Sequence, residues 1–418
     1  MPRSPTWIER VGAAIAVSTG LLVPSAGEAR ELYLLTVESE GVTVSRDIGD
    51  VSDLIDALSP SEVDRLIPAA TSGSRVVGRL DIRGVPATGT YPAGTTDFSI
   101  DIPCTGTRRT FTGATRTESF ERFRDYLEAD GDAEANRIRR CLVADTAADF
   151  VAGNPASLVG RAAYDDLRLA GLPRIPTPQA QYGVGLETEG ASAGDFEIAR
   201  LSVPLYATTT LDNPGSKPTT LVASATFDAV QVSSSASYSA MAAIGATATA
   251  RTLALLAVDE APAALDRWSL TPMLRIGAVG SPDTDAQQGV VGAALVSNLR
   301  VFAETFAVTL TNAYSRYETV AIADIDYGLS NGLFQNGLSV EAPVNARLLG
   351  QRASVRIGYM DTRVTGSPWF NDWYGRASLS YGTAGNPARP RAEDLRVGIY
   401  PTFGEDFFGV VIGAGYRF

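Results

Sequence analysis

Long segments that alternate strictly between apolar and polar side chains are the feature that most restricts what this chain can fold into. In the last segment Phe408, Val410, Ile412, Ala414, Tyr416 and Phe418 share one face, and Gly409, Val411, Gly413, Gly415 and Arg417 share the other. The segments before it repeat the pattern. Leu395, Val397 and Ile399 oppose Arg396 and Gly398; Ala377, Leu379 and Tyr381 oppose Arg376, Ser378 and Ser380. Ala353, Val355, Ile357 and Tyr359 oppose Arg352, Ser354 and Arg356; Leu338, Val340, Ala342 and Val344 oppose Ser339, Glu341 and Asn345; Ala321, Ala323, Ile325, Tyr327 and Leu329 oppose Asp324, Asp326 and Ser330. A period of two is a strand period. These segments run to about ten to fourteen residues, where strands of soluble proteins average about five or six. Aromatics stand near several segment ends (Tyr327, Tyr359, Tyr381, Tyr416 and Phe418), as in the girdles of membrane barrels. Backbone groups in lipid have no water to bond, so a sheet that crosses a bilayer must close on itself. Roughly 240 residues at ~20 per strand and turn predict an all-β transmembrane barrel of about 12 antiparallel strands, with 14 as the alternative even number.

The barrel grammar begins after Leu172-Pro-Arg-Ile-Pro-Thr-Pro178, whose prolines end helix and mark a linker. We expect three units: a signal peptide over residues 1–29, a smaller α+β N-terminal region over 30–175, and the barrel over 176–418. The first has arginines at positions 3 and 10, an apolar run over 11–23, and small residues at 27 and 29 that suit cleavage after Ala29. Within 30–175, Glu31–Arg46, Val76–Val85 and Thr96–Ile102 read as strands and Ser52–Ile67 as a helix pair. Thr117–Leu142 reads as a helix interrupted at Gly131, and Ala144–Ala170 as a helix cut by Gly153-Asn-Pro155. The only cysteines, Cys104 and Cys141, predict one disulfide in an oxidising compartment.

Composition closes most enzyme classes. The 418 residues contain no histidine, which removes Ser–His–Asp and Cys–His mechanisms and the commonest general base near pH 7. Lys217 is the one lysine, in a Pro/Gly turn, so 34 of the 35 basic residues are arginines. A net charge of −12 makes a nucleic-acid partner unsuitable. Asp130-Gly-Asp132 lacks the ligand spacing of a calcium loop, so no metal or other cofactor is expected. Trp369 and Trp373 suit interfacial anchors or a turn. We expect a protein that is not an enzyme.

The polar parity of the last strands carries a charge cluster: Arg352, Arg356, Arg376, Arg396 and Arg417 on the final four, Asp324, Asp326 and Glu341 on the two before. Facing a lumen, these could form a constriction that selects ions. They could equally form a salt-bridge network that fills a narrow barrel or grips an inserted helix, the reading we favour because small barrels fill their interiors.

A terminal aromatic with alternating apolar residues before it, here Val410, Ile412, Ala414, Tyr416 and Phe418, resembles the C-terminal sorting signal of bacterial outer-membrane barrels. Together with the export signal, the separate N-terminal region and the linker, the layout resembles that of autotransporters. Leu270-Thr-Pro-Met-Leu-Arg-Ile-Gly-Ala-Val-Gly-Ser281 and Gly289-Val-Val-Gly-Ala-Ala-Leu-Val296 look like segments of solitary autotransporter-like barrels, which lack a long passenger. That resemblance implies a protein of the Gram-negative outer membrane, in contact with outer-membrane lipid and handed to the barrel-assembly machinery by its last strand. It would act as a porin-like pore or present its N-terminal region. The alternative is a barrel that only anchors residues 30–175 for an unidentified periplasmic or surface partner.

Overall fold

A computed structural model describes residues 33–417, apart from 49–50, 172–179, 212–218, 233–234, 250–252, 254–266, 282–285, 303–305, 323–326 and 384–393. The expected signal peptide and the expected linker therefore lie outside the described residues, as do Asp324, Asp326 and Phe418. Among the described residues, eighteen strands and four α-helices form two bodies in contact.

The N-terminal body is a six-stranded antiparallel sheet in the order β2-β1-β3-β4-β5-β6. Its strands are β1 (Tyr33–Ser39), β2 (Val42–Asp47), β3 (Val76–Ile82), β4 (Val85–Tyr91), β5 (Phe98–Ile102) and β6 (Thr107–Phe111). The single strand expected over Glu31–Arg46 is a hairpin instead. Glu40 and Gly41 both take positive φ and turn the chain, a geometry that strand periodicity passes over. Helices α1 (Val51–Asp56), α2 (Pro60–Leu66) and α3 (Arg116–Asp145) cover one face. There Leu35, Val37, Leu80, Phe98 and Ile100 are buried with Leu54, Leu58, Phe120 and Phe123. Gly78 and Gly89, paired across β3 and β4, open the slot that Leu58 fills: a Cβ on Gly78 would lie 2.2 Å from Leu58 Cδ2.

Helix α3 runs through Gly131 without the expected interruption. Its neighbours supply the reason. Glu134, buried three residues on, accepts hydrogen bonds from Thr105 of the β5–β6 connection (2.9 Å) and from Thr107 at the start of β6 (2.8 Å), and pairs with Arg137. The Cys104–Cys141 disulfide ties the same seam. Tertiary bonds of this kind outweigh the roughly 1 kcal/mol helix penalty of one glycine. Burial would raise the Glu134 carboxyl, but the Arg137, Thr107 and Thr105 hydrogen bonds outweigh it and hold it below the usual carboxylate range. A depressed carboxylate stabilises above its unfolded pKa of roughly 4.3 and loses that stabilisation as pH falls through the folded value. Glu134→Gln should lower the urea midpoint of the N-terminal body at pH 7, and the gap from wild type should narrow steadily below pH 4. An unchanging gap would mean the charge plays no part.

The second body is a closed barrel of twelve antiparallel strands, β7 to β18, with the last paired to the first. Strands run from 11 to 19 residues, from β7 (Gln181–Ala193) to β14 (Ser330–Leu348), β15 (Gln351–Gly366), β16 (Trp373–Thr383), β17 (Asp394–Gly404) and β18 (Phe407–Arg417). Between them lie β8 (Phe196–Leu211), β9 (Thr219–Val232), β10 (Ser235–Thr249), β11 (Trp268–Ser281), β12 (Ala286–Phe302) and β13 (Ala307–Ala321). A row of paired residues starting at Ile412 in mid-β18 passes through Thr188, Leu201, Ala229, Tyr238 and Gly280 and ends at Gln287, near the start of β12. The strands are therefore tilted, as closure requires. The apolar parity faces outward, with Leu274 64% and Ile357 60% exposed, while Ser202, Asp228, Thr271, Gln288 and Thr402 are buried inside.

One expected strand is corrected. β13 ends at Ala321 and β14 starts at Ser330, so Tyr327 and Leu329 belong to a connection. Tyr327 is no girdle residue: it is 1% exposed, with Arg139 of α3 over its ring at 5.8 Å. Trp369, 7% exposed, is likewise packed inside rather than anchored at an interface.

Candidate functional site

The barrel lumen is occupied. After α3 the chain passes through a neck, residues 146–157, in which every residue is buried. Asn154 organises it: its side-chain amide donates to the carbonyls of Ala147 (2.9 Å) and Asp149 (3.2 Å), and its oxygen accepts from the Ala156 N–H. The β15–β16 connection grips this passage, Phe370 N–H donating to Val143 O in the last turn of α3 (2.9 Å) and Asn371 N–H to Gly153 O in the neck (3.0 Å). Phe196, at the β7–β8 turn, lies against Gly84 of the N-terminal body. That body therefore sits on the rim where these hairpins turn. The barrel's own ends, Gln181 and Arg417, lie at the opposite rim.

Helix α4 (Leu158–Ala170), capped by Ser157, then enters the barrel, and ten of its thirteen residues are buried. Its small residues, Gly160, Ala162, Ala163 and Ala170, keep it thin, and its charges each meet a barrel residue. Arg161 pairs with Asp228 on β9 and donates to Ser239 Oγ on β10 at 2.9 Å. Asp228 is shared with Arg200 on β8 (3.4 Å), which also holds Glu189 on β7 (2.8 Å). Asp165 accepts from Thr226 on β9 at 3.0 Å. Asp166 accepts two bonds from Arg275 on β11, at 2.9 and 2.6 Å, and one from the Tyr317 hydroxyl on β13. Arg168 pairs with Glu187 on β7. The Tyr164 ring lies 4.0 Å from the Arg376 guanidinium and 6.4 Å from the Tyr400 ring. Asn298 on β12 donates to the Ala170 carbonyl at the helix end. With partners on strands from β7 round to β17, α4 is a plug inside the barrel, its backbone nearest the wall formed by β9 to β13.

Buried pairs of this kind gain little over a well-packed apolar plug, because desolvation offsets their attraction. What they do is fix one seating, since rotating or sliding α4 would strand several charges at once.

The charge cluster named from the sequence is a separate feature on the other wall. Glu341 gathers Arg356 (2.8 Å), Arg396 (3.0 Å) and Ser354 (2.8 Å), and adds Arg300 of β12 (3.0 Å). Arg352 is exposed near the terminal rim. Arg376 is buried, bonded to Thr402 Oγ1 at 2.7 Å and stacked on the plug rather than joined to Glu341. Arg417 lies in β18, where it pairs with Asp394 and Gly183 in register. Val410, Ile412, Ala414 and Tyr416 lie on the outer face of that same strand.

The residues that hold the plug, Glu187, Glu189, Arg200, Asp228 and Arg275, were missed by the sequence reading. A signal was present: Glu187 and Glu189 alternate with Gly185 on one parity, and a short Ala/Gly-rich helix carries Arg161, Asp165, Asp166 and Arg168. Sequence alone does not say that these two sets face each other. Among the described residues there is no cluster of metal-ligating side chains, and no helix is long and apolar enough to cross a membrane.

Among solved structures the chain is similar to the β domain of the Bordetella autotransporter BrkA, at 10% identity over 57% of this chain and 98% of that one, with a TM-score of 0.44. It is also similar to the translocator domain of the autotransporter NalP from Neisseria meningitidis (11% identity, 62% and 96% covered, TM-score 0.41). A third is LpxR from Salmonella typhimurium (8%, 57% and 99%, TM-score 0.36). No protein-family model and no curated protein matches the chain.

Proposed function

We propose that this is a bacterial outer-membrane barrel that holds its N-terminal α+β body at one mouth, with α4 as a fixed plug and tether. The observation that carries this reading is α4 itself, buried along the lumen and bonded around the wall. The outward apolar parity supports a lipid setting, and the filled lumen favours anchoring over a porin-like pore.

The topology suggests where the body lies. α4 starts at the rim occupied by the N-terminal body and ends toward the rim where β7 begins. If the last strand is the sorting signal that the assembly machinery reads from the periplasm, then Arg417 and Gln181 face the periplasm and the body is on the cell surface. The hairpins at the body's rim are short, such as Gly194–Asp195 and Glu405–Asp406. Short turns ordinarily mark the periplasmic side. By that rule alone this rim would face the periplasm, the opposite of the placement the last strand suggests, and labelling separates the two.

A cysteine placed at Glu40, exposed in the β1–β2 turn, tests this with a membrane-impermeant maleimide. Labelling of intact cells is the expected result. Labelling only after the outer membrane is opened would put the body in the periplasm and leave the anchor reading alone standing. In planar bilayers the full chain should show no stable open level, and a reproducible open channel would return the pore reading.

A further inference from the structure

On β8 to β11 the outward face is continuously apolar through the middle of the barrel wall: Leu201, Val203 and Leu205 on β8, Phe227 on β9, Ile244 on β10, Leu274 and Ile276 on β11. The flank formed by β12 to β15 breaks that belt. Ser297, Asn312, Asn336 and Asp361 are register partners across these four adjacent strands, all on the outward parity. They are not at the rim. Asn312 stands between Leu310 and Tyr314, and Asn336 between Phe334 and Leu338, all four of these neighbours exposed. Toward the rim bearing the N-terminal body, Arg316 and Glu318 follow on β13, with side chains 59% and 54% exposed, and Arg363 follows Asp361 on β15 at 64%. Amides and ions facing lipid are costly and are ordinarily turned to a protein partner or to water.

We propose that this flank is a self-association surface, by which two copies of the chain pair side by side in the membrane about a two-fold axis parallel to the barrel and beside β14. This rests on the reading that the barrel spans a bilayer. The choice of a second copy comes from the order of charges. β13 and β15 both run toward the body's rim, and in that direction β13 presents Arg316 then Glu318 while β15 presents Asp361 then Arg363. Strand tilt lifts the β15 residues relative to the row they share with β13, which brings Asp361 toward the level of Arg316. A two-fold axis beside β14 sets β13 of one copy against β15 of the other. Arg316 then meets Asp361 and Glu318 meets Arg363, twice over, with Asn336 facing its own counterpart on the axis. An isologous interface needs such self-complementarity. Within one copy Arg316 and Glu318 pair at 3.2 Å and both bond Ser330 Oγ, while Asp361 accepts from the Trp373 indole and lies 3.7 Å from Arg363, whose guanidinium covers the Trp373 ring; Arg316, Glu318 and Arg363 nonetheless keep more than half of their side-chain surface open to a neighbour.

The test uses the full chain in native outer-membrane preparations. The two native cysteines are joined to each other, so a cysteine introduced by Asn336→Cys is the only free thiol. Mild oxidation should convert this variant to a covalent dimer, while Phe227→Cys on the far flank should remain monomeric. Asp361→Arg should cut the non-covalent dimer fraction roughly tenfold or more, through like charges brought face to face. Adding Arg316→Asp should restore it. Chain that fractionates with the membrane yet cross-links no better through position 336 than through 227 overturns the proposal and leaves the barrel reading intact. Cross-linking to a different protein overturns it too, in favour of a foreign partner. Absence of the wild-type chain from the membrane fraction overturns both. Should Asp361→Arg fail to fold, the position 336 against 227 comparison still decides.

Discussion

Replacing Arg275 with alanine should turn a silent barrel into a conducting one. Arg275 is 5% exposed, and its guanidinium gives Asp166 two of the three hydrogen bonds that satisfy its carboxylate; the third is from Tyr317. Removing it leaves a buried carboxylate with one hydroxyl, next to Asp165, which Arg275 also approaches at 3.9 Å. Breaking a buried pair by deleting one partner costs about 3–5 kcal/mol, because the other charge stays desolvated. Relief comes most readily by withdrawing α4 so that Asp166 reaches water. Single-channel recording of the full chain is the measurement: wild type closed, Arg275→Ala with frequent openings. A double variant, Asp166→Asn with Arg275→Gln, removes both charges and should stay mostly closed, since it strands neither. A folded Arg275→Ala protein that remains silent would mean the plug is held without this pair.

The second large effect should come from the disulfide and be confined to the N-terminal body. Cys104 lies in the single-turn connection Pro103–Thr105 after β5, and Cys141 in the last third of α3, 37 residues on. Closing a loop of that size stabilises by about 4 kcal/mol in the chain-entropy picture. The covalent tie runs along the same seam as the Glu134 bonds, and Cys141 packs with Val85 and Leu142. Cys104→Ser combined with Cys141→Ser should lower the urea midpoint of this body sharply and expose Arg137, Arg139 and Arg140 of α3 to trypsin. The barrel, closed by its own hydrogen bonds, should resist trypsin unchanged. Equal loss of protection in both bodies would show that they unfold as one unit.

The architecture of the barrel was legible because its physics is local. A two-residue period along β14 to β18 fixes which side chains face out, and the number of residues fixes the strand count to within two. Twelve is what a closed sheet of this length takes. The expectation failed at Tyr327–Leu329, where the alternation continues outside any strand. Tyr327 there is drawn beneath Arg139 of the N-terminal body, a contact from residues far away in sequence. The hairpin at Glu40-Gly41 and the unbroken α3 were missed for the same reason, since turn φ values and long-range bonds leave no period behind.

The sequence by itself determined that the chain closes a long-stranded barrel, that a shorter mixed body precedes it, that one disulfide is available, and that histidine chemistry is absent. Each follows from composition or from a period along the chain. Only the tertiary structure decided that α4 lies inside the barrel. It alone decided that Asp228, Arg275 and Glu187 rather than Glu341 hold the plug, and that the outward row Ser297–Asn312–Asn336–Asp361 lines up across four strands. These are matters of register and of which walls face each other. A strand's parity says only in or out; the partner across the lumen is set by closure and tilt.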